Sequence, residues 1–226
     1  MPKLEGILKN AEMRGKLEDF VIYQLNGETI IRRIGQVSKE RYKSGLSFTR
    51  MRQNQSEFAL AVQLAKPLYS ISCRKKLKLF GPYFSGRLNG AFRKVIQKGV
   101  GEPGKRSFDV SHLCDLHTFP VDGRESERGF LISDPSVFDY QTASVTFSVA
   151  LQEAFNAYPR LFYCLSSYSP VIYNTDKGYE ALYPQWHGVQ EQVLVERGDS
   201  DIYLCLNRNE PVPKEVGFVA MCVGVH

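Results

Sequence analysis

The run Val216–Val225 constrains the fold most, because it is apolar at both odd and even positions. A strand with one wet face alternates apolar and polar side chains, whereas a strand apolar on both faces belongs at the centre of a sheet. Further strands are expected at Phe108–Leu116, Gly129–Ser133, Leu161–Leu165 and Pro170–Tyr173. Ala143–Leu151 alternates most strictly: Ala143, Val145, Phe147, Val149 and Leu151 interleave with Ser144, Thr146, Ser148 and Ala150. That spacing predicts a half-buried strand. Gln192–Glu196 and Asp201–Asn207 flank Arg197-Gly198-Asp199-Ser200, read as a hairpin turn rather than as an adhesion tripeptide. Short strands punctuated by Pro, Gly, Asn and Asp predict an antiparallel, immunoglobulin-like β-sandwich over residues 107–226. Tyr179–Trp186 is read as an aromatic loop.

The preceding residues, 1–106, follow other periodicities. Asp19–Gln24 and Glu28–Arg33 are β-rich and separated by Asn26-Gly27. That dipeptide suits the type I′ turn, whose two central residues need φ > 0, and predicts a hairpin. Gln36–Arg52 is polar and poorly periodic and is expected to be an extended basic connection. Two helices are predicted. The first, Ser56–Ala65, gathers Phe58, Leu60, Ala61, Leu64 and Ala65 on one face and is ended or kinked by Pro67. The second, Ser85–Lys98, places Leu88, Ala91, Phe92, Val95 and Ile96 on one side, with Ser85 as cap and Gly99 as terminator. Glu102-Pro103-Gly104 marks the break between the two regions. The fold class expected is α+β, with an N-terminal β-hairpin and basic helices followed by a C-terminal antiparallel β-sandwich.

Charge divides along the same line. Residues 1–110 hold 22 Lys+Arg against 9 Asp+Glu, and residues 111–226 hold 7 against 15. A segregation this strong points to nucleic acid, an acidic surface, or the acidic half of a neighbouring copy as partner. The contact residues expected on this basis are Arg32 and Arg33 on the hairpin, and Lys39, Arg41, Lys43, Arg50 and Arg52 on the connection. They continue with Arg74, Lys75, Lys76 and Lys78 between the helices, and with Arg87, Arg93, Lys94 and Lys98 on the polar side of the second helix. Tyr42, Phe48, Phe80, Tyr83 and Phe84 are interleaved with these cations, as stacking on nucleic-acid bases would want, but the last three are read as packing residues around Gly81-Pro82.

Part of this region resembles a known family. The residues are Gly15-Lys16-Leu17-x-Asp19-x-Val21-x-Tyr23, Asn26-Gly27, Arg32-Arg33, Arg52-Gln53, Phe58-Ala59-Leu60-Ala61 and Ser85-Gly86-Arg87-Leu88-Asn89-x-Ala91-Phe92. They resemble a group of small proteins of Bacteroidota genomes that open with a Gly-Lys-x-Gly-x-x-Val-x-Tyr hairpin and continue into a basic, Ala- and Gln-rich helix. An Asn-Pro-Arg-Thr-like stretch of that family is replaced here by Leu46-Ser47-Phe48-Thr49-Arg50. The resemblance covers under half the chain and rests on structural motifs. It implies a bacterial, bacteriophage or mobile-element origin and assigns no catalytic residue.

Chemical constellations are sparse. His112, Cys114, Asp115 and His117 would alternate between the two faces of a strand and so would not converge on a metal. His187 beside Trp186 is the one candidate pocket histidine, in the 176–190 segment. No phosphate-binding Gly-rich loop or nucleophile elbow occurs. The five cysteines, Cys73, Cys114, Cys164, Cys205 and Cys222, form no Cys-x-x-Cys pair and read as reduced, buried thiols. No signal peptide is read at Met1–Asn10, and no apolar run reaches the ~20 residues of a bilayer span, so synthesis in a reducing cytoplasm is expected. No cofactor is implied. The function expected is non-enzymatic self-assembly through the basic half and the acidic β domain. The alternatives are nucleic-acid binding by residues 32–106 and an enzyme with its site near His187.

Overall fold

Strand β12 (Gly217–Val225) is buried along its whole length and pairs antiparallel with β7 (Arg160–Tyr168) on one side and β4 (Gly129–Ile132) on the other. In the computed structural model, which describes residues 14–25, 28–35, 38–71, 79–81, 83–123, 128–198, 200–206 and 210–226, this pair of ladders is the centre of a four-stranded sheet. Its order is β10-β7-β12-β4, with β10 spanning Gln190–Glu196. Side-chain alternation splits the sheet's two faces cleanly. Phe162, Cys164, Tyr168, Val219, Met221, Val223 and Leu131 face one core. Leu161, Tyr163, Leu165, Phe218, Ala220, Cys222 and Ile132 face the other. Both parities of β12 are apolar because both faces are covered.

Helices α2 (Thr49–Tyr69) and α3 (Phe84–Gln97) cover the first face. In α2 the buried stripe is Glu57, Leu60, Ala61, Leu64, Ala65 and Leu68, a spacing of three and four that places all six on one side. The expected Phe58 is instead exposed, and Glu57 takes the inward position. The helix also starts earlier than expected and continues through Pro67, whose carbonyl accepts a hydrogen bond from Gln190 Nε2 on β10. In α3, Leu88, Phe92, Val95 and Ile96 are buried as the periodicity predicts, together with Phe84. Its N-cap is Tyr83 at φ 66°, which makes no side-chain cap hydrogen bond, and not Ser85. Tyr83 is 85% exposed, whereas Phe84 is buried and stacks on Phe80.

A three-stranded sheet covers the second face, with order β11-β6-β5: β5 is Phe138–Asp139, β6 Ser144–Phe147 and β11 Ile202–Cys205. The alternating run 143–151 does not stay extended. After β6, Ser148 caps a short helix α4 (Val149–Glu153) by accepting from the Leu151 N–H. β10 and β11 pair with β7 and β6 respectively, so the expected hairpin between them does not form; Asp199 lies outside the described residues. Phe108–Leu116 is a single bridge, Phe108 to Val171, followed by a 3-10 turn over Val110–Leu116. Val171–Asn174 (β8), at the strand expected over Pro170–Tyr173, pairs with Gly178–Ala181 (β9), which takes up the start of the expected aromatic loop, and Trp186 is buried.

The chain is α+β, with antiparallel sheets throughout. It divides into two compact units, residues 1–49 and 50–226. This differs from a division at 106, because α2 and α3 share a core with the sheet strands and cannot be parted from them. The second unit is therefore a sandwich with a helical layer on its outer face rather than a lone two-sheet domain.

The first unit holds β1 (Gly15–Leu17), β2 (Phe20–Leu25) and β3 (Glu28–Arg33) in the order β1-β2-β3. Leu25 pairs with Glu28, the register of a two-residue connection, although Asn26 and Gly27 themselves lie outside the described residues. The expected extended connection contains a helix, α1 (Lys39–Ser44), capped by Ser38, then a 3-10 turn over Leu46–Phe48.

Candidate functional site

The fifteen expected contact residues are carried by β3, α1, α2, α3 and the residue that caps α3, except four that lie outside the described residues. Arg32 and Arg33 are exposed on β3, with Arg33 3.8 Å from Asp19. Lys39, Arg41 and Lys43 are exposed on α1, a helix that buries no residue. Arg74, Lys75, Lys76 and Lys78 lie outside the described residues. Arg52 is half-buried and not free, Lys94 is exposed, and Lys98 is tied to Asp115 at 2.7 Å.

Arg87 belongs to the fold. It lies over the Phe119 ring at 5.3 Å, and its guanidinium donates to the carbonyls of Pro120 at 3.0 Å, Val121 at 2.9 Å and Gly123. A planar fork of donors suits three converging carbonyls. Periodicity places Arg87 on the polar side of α3 but cannot show that a turn folds over it.

What the tertiary structure does assemble is a cleft of about 550 Å³ between α2, α3 and the loop that follows α3. Arg50, Gln53, Asn54 and Glu57 line it from α2 at spacings of three and four, which is one side of a helix. Arg93 and Gln97 line it from α3, and Pro103 and Arg106 from the loop. Glu57 is 2% exposed. Its Oε1 accepts from Arg106 Nη1 at 2.9 Å and from the Gly104 N–H at 2.8 Å. The Gly104 carbonyl in turn accepts from Ser56 Oγ at 2.8 Å and from the Tyr179 hydroxyl at 3.0 Å. Gly104 has φ +88°, and a Cβ there would lie 2.7 Å from Gln53 Cα, so the close approach of loop to helix requires glycine. Arg93 Nη2 donates to Asn54 Oδ1 at 3.0 Å. Arg50 is exposed. The lining thus carries three guanidinium groups against one carboxylate, and that carboxylate is already engaged. Sequence reading found Arg50 and Arg93 but missed Arg106, Glu57 and the amides of Gln53, Asn54 and Gln97. The spacing Arg50-x-x-Gln53-Asn54-x-x-Glu57 was the available signal.

The charge segregation takes a different form from two domains of opposite sign. Residues 50–110, which include α2 and α3, hold 13 Lys+Arg against 3 Asp+Glu, and four of these cations, Arg74, Lys75, Lys76 and Lys78, lie outside the described residues. Residues 1–49 hold 9 against 6. The strongly basic segment and the acidic segment 111–226 are therefore parts of one compact unit.

The other candidates stand apart from this cleft. His112, Cys114 and Asp115 lie in the 3-10 turn and His117 at its end, and the described residues contain no cluster of three or more metal-ligating side chains. His117 Nδ1 faces the Ser133 N–H at 3.4 Å. His187 is half-buried, edge-on to Tyr168 at 6.3 Å, and burial lowers its pKa against a backbone hydrogen bond at Ser169. Cys164 and Cys222 are buried on opposite faces of the central sheet, Cys205 is half-buried and Cys114 exposed; Cys73 lies outside the described residues. Among the described residues no helix is long and apolar enough to cross a membrane. No protein-family profile, no curated protein and no solved structure matches this chain.

Proposed function

We propose that the chain is a non-enzymatic assembly protein that associates with further copies of itself, basic face to acidic face. The observation that carries this reading is the polarity of the unit 50–226. Its segment 50–110, which includes α2 and α3, has 13 cations against 3 carboxylates, and its segment 111–226, which includes the sheet strands, has 7 against 15. Complementary patches at different places on one body favour a heterologous contact, which repeats head to tail instead of closing as a two-fold dimer. Such attraction steers association and is screened over roughly 8 Å at physiological salt.

Features of the first unit fit the same reading. Leu17, Phe20 and Leu25 are exposed on the β1-β2-β3 sheet at 62%, 42% and 51%. A three-stranded sheet with so much apolar surface in water is suited to covering by a partner.

The test is the mass in solution as a function of salt. At about 50 mM salt and high protein concentration the mass should exceed the 25.7 kDa of one chain, and about 500 mM salt should return it toward that value. A strict monomer at low salt and high concentration overturns the reading.

A further inference from the structure

We propose that the Arg50–Arg93–Arg106 cleft is a binding site for a phosphate group. The cleft combines positive charge, paired donors and preorganised side chains, and it does so independently of self-association. Three guanidinium groups and the single carboxylate of Glu57 leave the lining with an excess of two positive charges. A phosphomonoester or pyrophosphate at neutral pH carries about two negative charges, as do two successive phosphodiesters of a nucleic-acid strand. Guanidinium forks match the oxygens of phosphate in pairs, and Gln53, Asn54 and Gln97 add neutral N–H donors on the same walls.

Two of the three cations are already held in place. Glu57 fixes Arg106 from beneath, and Asn54 fixes Arg93 without neutralising it. Side chains ordered before binding lose less freedom when the ligand arrives. Arg50, exposed at the start of α2, is the cation left to close over the ligand. A carboxylate ligand would use one fork and leave the other charges unmatched, so phosphate is the better fit.

The experiment titrates the full chain with inorganic pyrophosphate by calorimetry, and with a fluorescent single-stranded oligonucleotide of about 12 nucleotides by anisotropy. Binding of pyrophosphate identifies a free phosphate compound as the source, and binding of the oligonucleotide alone identifies the backbone of a strand. In either case the double variant R50Q/R93Q should weaken binding about tenfold or more. The variant K66Q/K214Q removes the same charge at exposed positions away from the cleft and should bind as the parent does. R50Q alone, at an exposed side chain, keeps the test open should the double variant not fold. The proposal fails if the intact chain binds neither probe, if R50Q and R50Q/R93Q bind as tightly as the parent, or if K66Q/K214Q loses as much affinity as R50Q/R93Q.

Discussion

Glu57 Oε1 and Arg106 Nη1 lie 2.9 Å apart, 49 residues from each other in sequence, and their contact fastens the loop after α3 to the inner side of α2. Glu57 sits at a position of α2 where the neighbours in the stripe are Leu60, Ala61 and Leu64. A buried carboxylate is tolerable only with partners, and here the Arg106 guanidinium and the Gly104 N–H supply them.

Removing that carboxylate should be strongly destabilising. Glu57→Ala leaves a half-buried guanidinium and a backbone N–H without their acceptor, at a cost of about 3–5 kcal/mol. Glu57→Gln keeps an oxygen for Gly104 and should cost less. Urea unfolding monitored by circular dichroism measures both, and an E57A midpoint equal to that of the parent would show that the contact does not hold the loop.

Arg87→Ala should cost about 2–4 kcal/mol, because three carbonyls in the turn 120–123 lose a charged donor. Arg87→Lys should recover little of this, since an ammonium on a flexible stem does not reproduce the fork. The exposed neighbour Lys94→Ala should stay within about 0.5 kcal/mol of the parent. Equal midpoints for R87A and K94A would return Arg87 to the set of surface cations.

Gly224→Ala should collide with the ring of Tyr158, whose Cδ2 and Cγ lie 2.3 Å and 2.4 Å from the position of the new Cβ. These atoms are at the root of the ring and cannot yield without moving the side chain, so a cost of about 1–3 kcal/mol is expected. The same change in a Tyr158→Ala background should cost less. A double-mutant cycle with no coupling would rule out the ring as the obstacle.

Stability should fall on the alkaline side. Burial pushes the Cys222 thiol from an ordinary value near 9 up to about 12, and burial likewise raises the hydroxyls of Tyr163 and Tyr168. The folded chain keeps these protons where the unfolded chain has begun to lose them. The stabilising contribution is therefore complete below about pH 9 and declines as pH rises toward 12, at up to about 1.4 kcal/mol per pH unit for each group. Urea midpoints between pH 8 and pH 11 measure it; the Cys222→Ala variant should show a shallower decline. A stability that is level across this interval contradicts the burial of these groups.

Much of the fold is legible in the residues. The centre of the main sheet follows from the double-sided apolar run at β12, the first hairpin from β-rich runs around Asn26-Gly27, and α3 from Leu88, Phe92, Val95 and Ile96. Other features mislead for identifiable reasons. The alternation of 143–151 is ambiguous once Ser148 is available as a cap, because Val149–Glu153 also suits a helical turn. Pro103-Gly104 looks like a linker but is a tight loop pinned by Glu57 and Ser56. Phe58 is exposed and Glu57 buried, which periodicity misses because it ranks a side chain by its own polarity and not by the partner waiting for it.

By itself, then, the sequence determined the α+β class, the strand that would lie innermost, and the concentration of cations in the first half. Each of these depends on a few adjacent side chains and their repeat. Only the tertiary structure decided that the basic helices and the acidic sheets are layers of one unit, that Arg87 is consumed by a turn, and that Arg50, Arg93 and Arg106 share a cleft. Those outcomes hang on contacts between residues tens of positions apart, which form only when the apolar faces of separate elements have chosen one another.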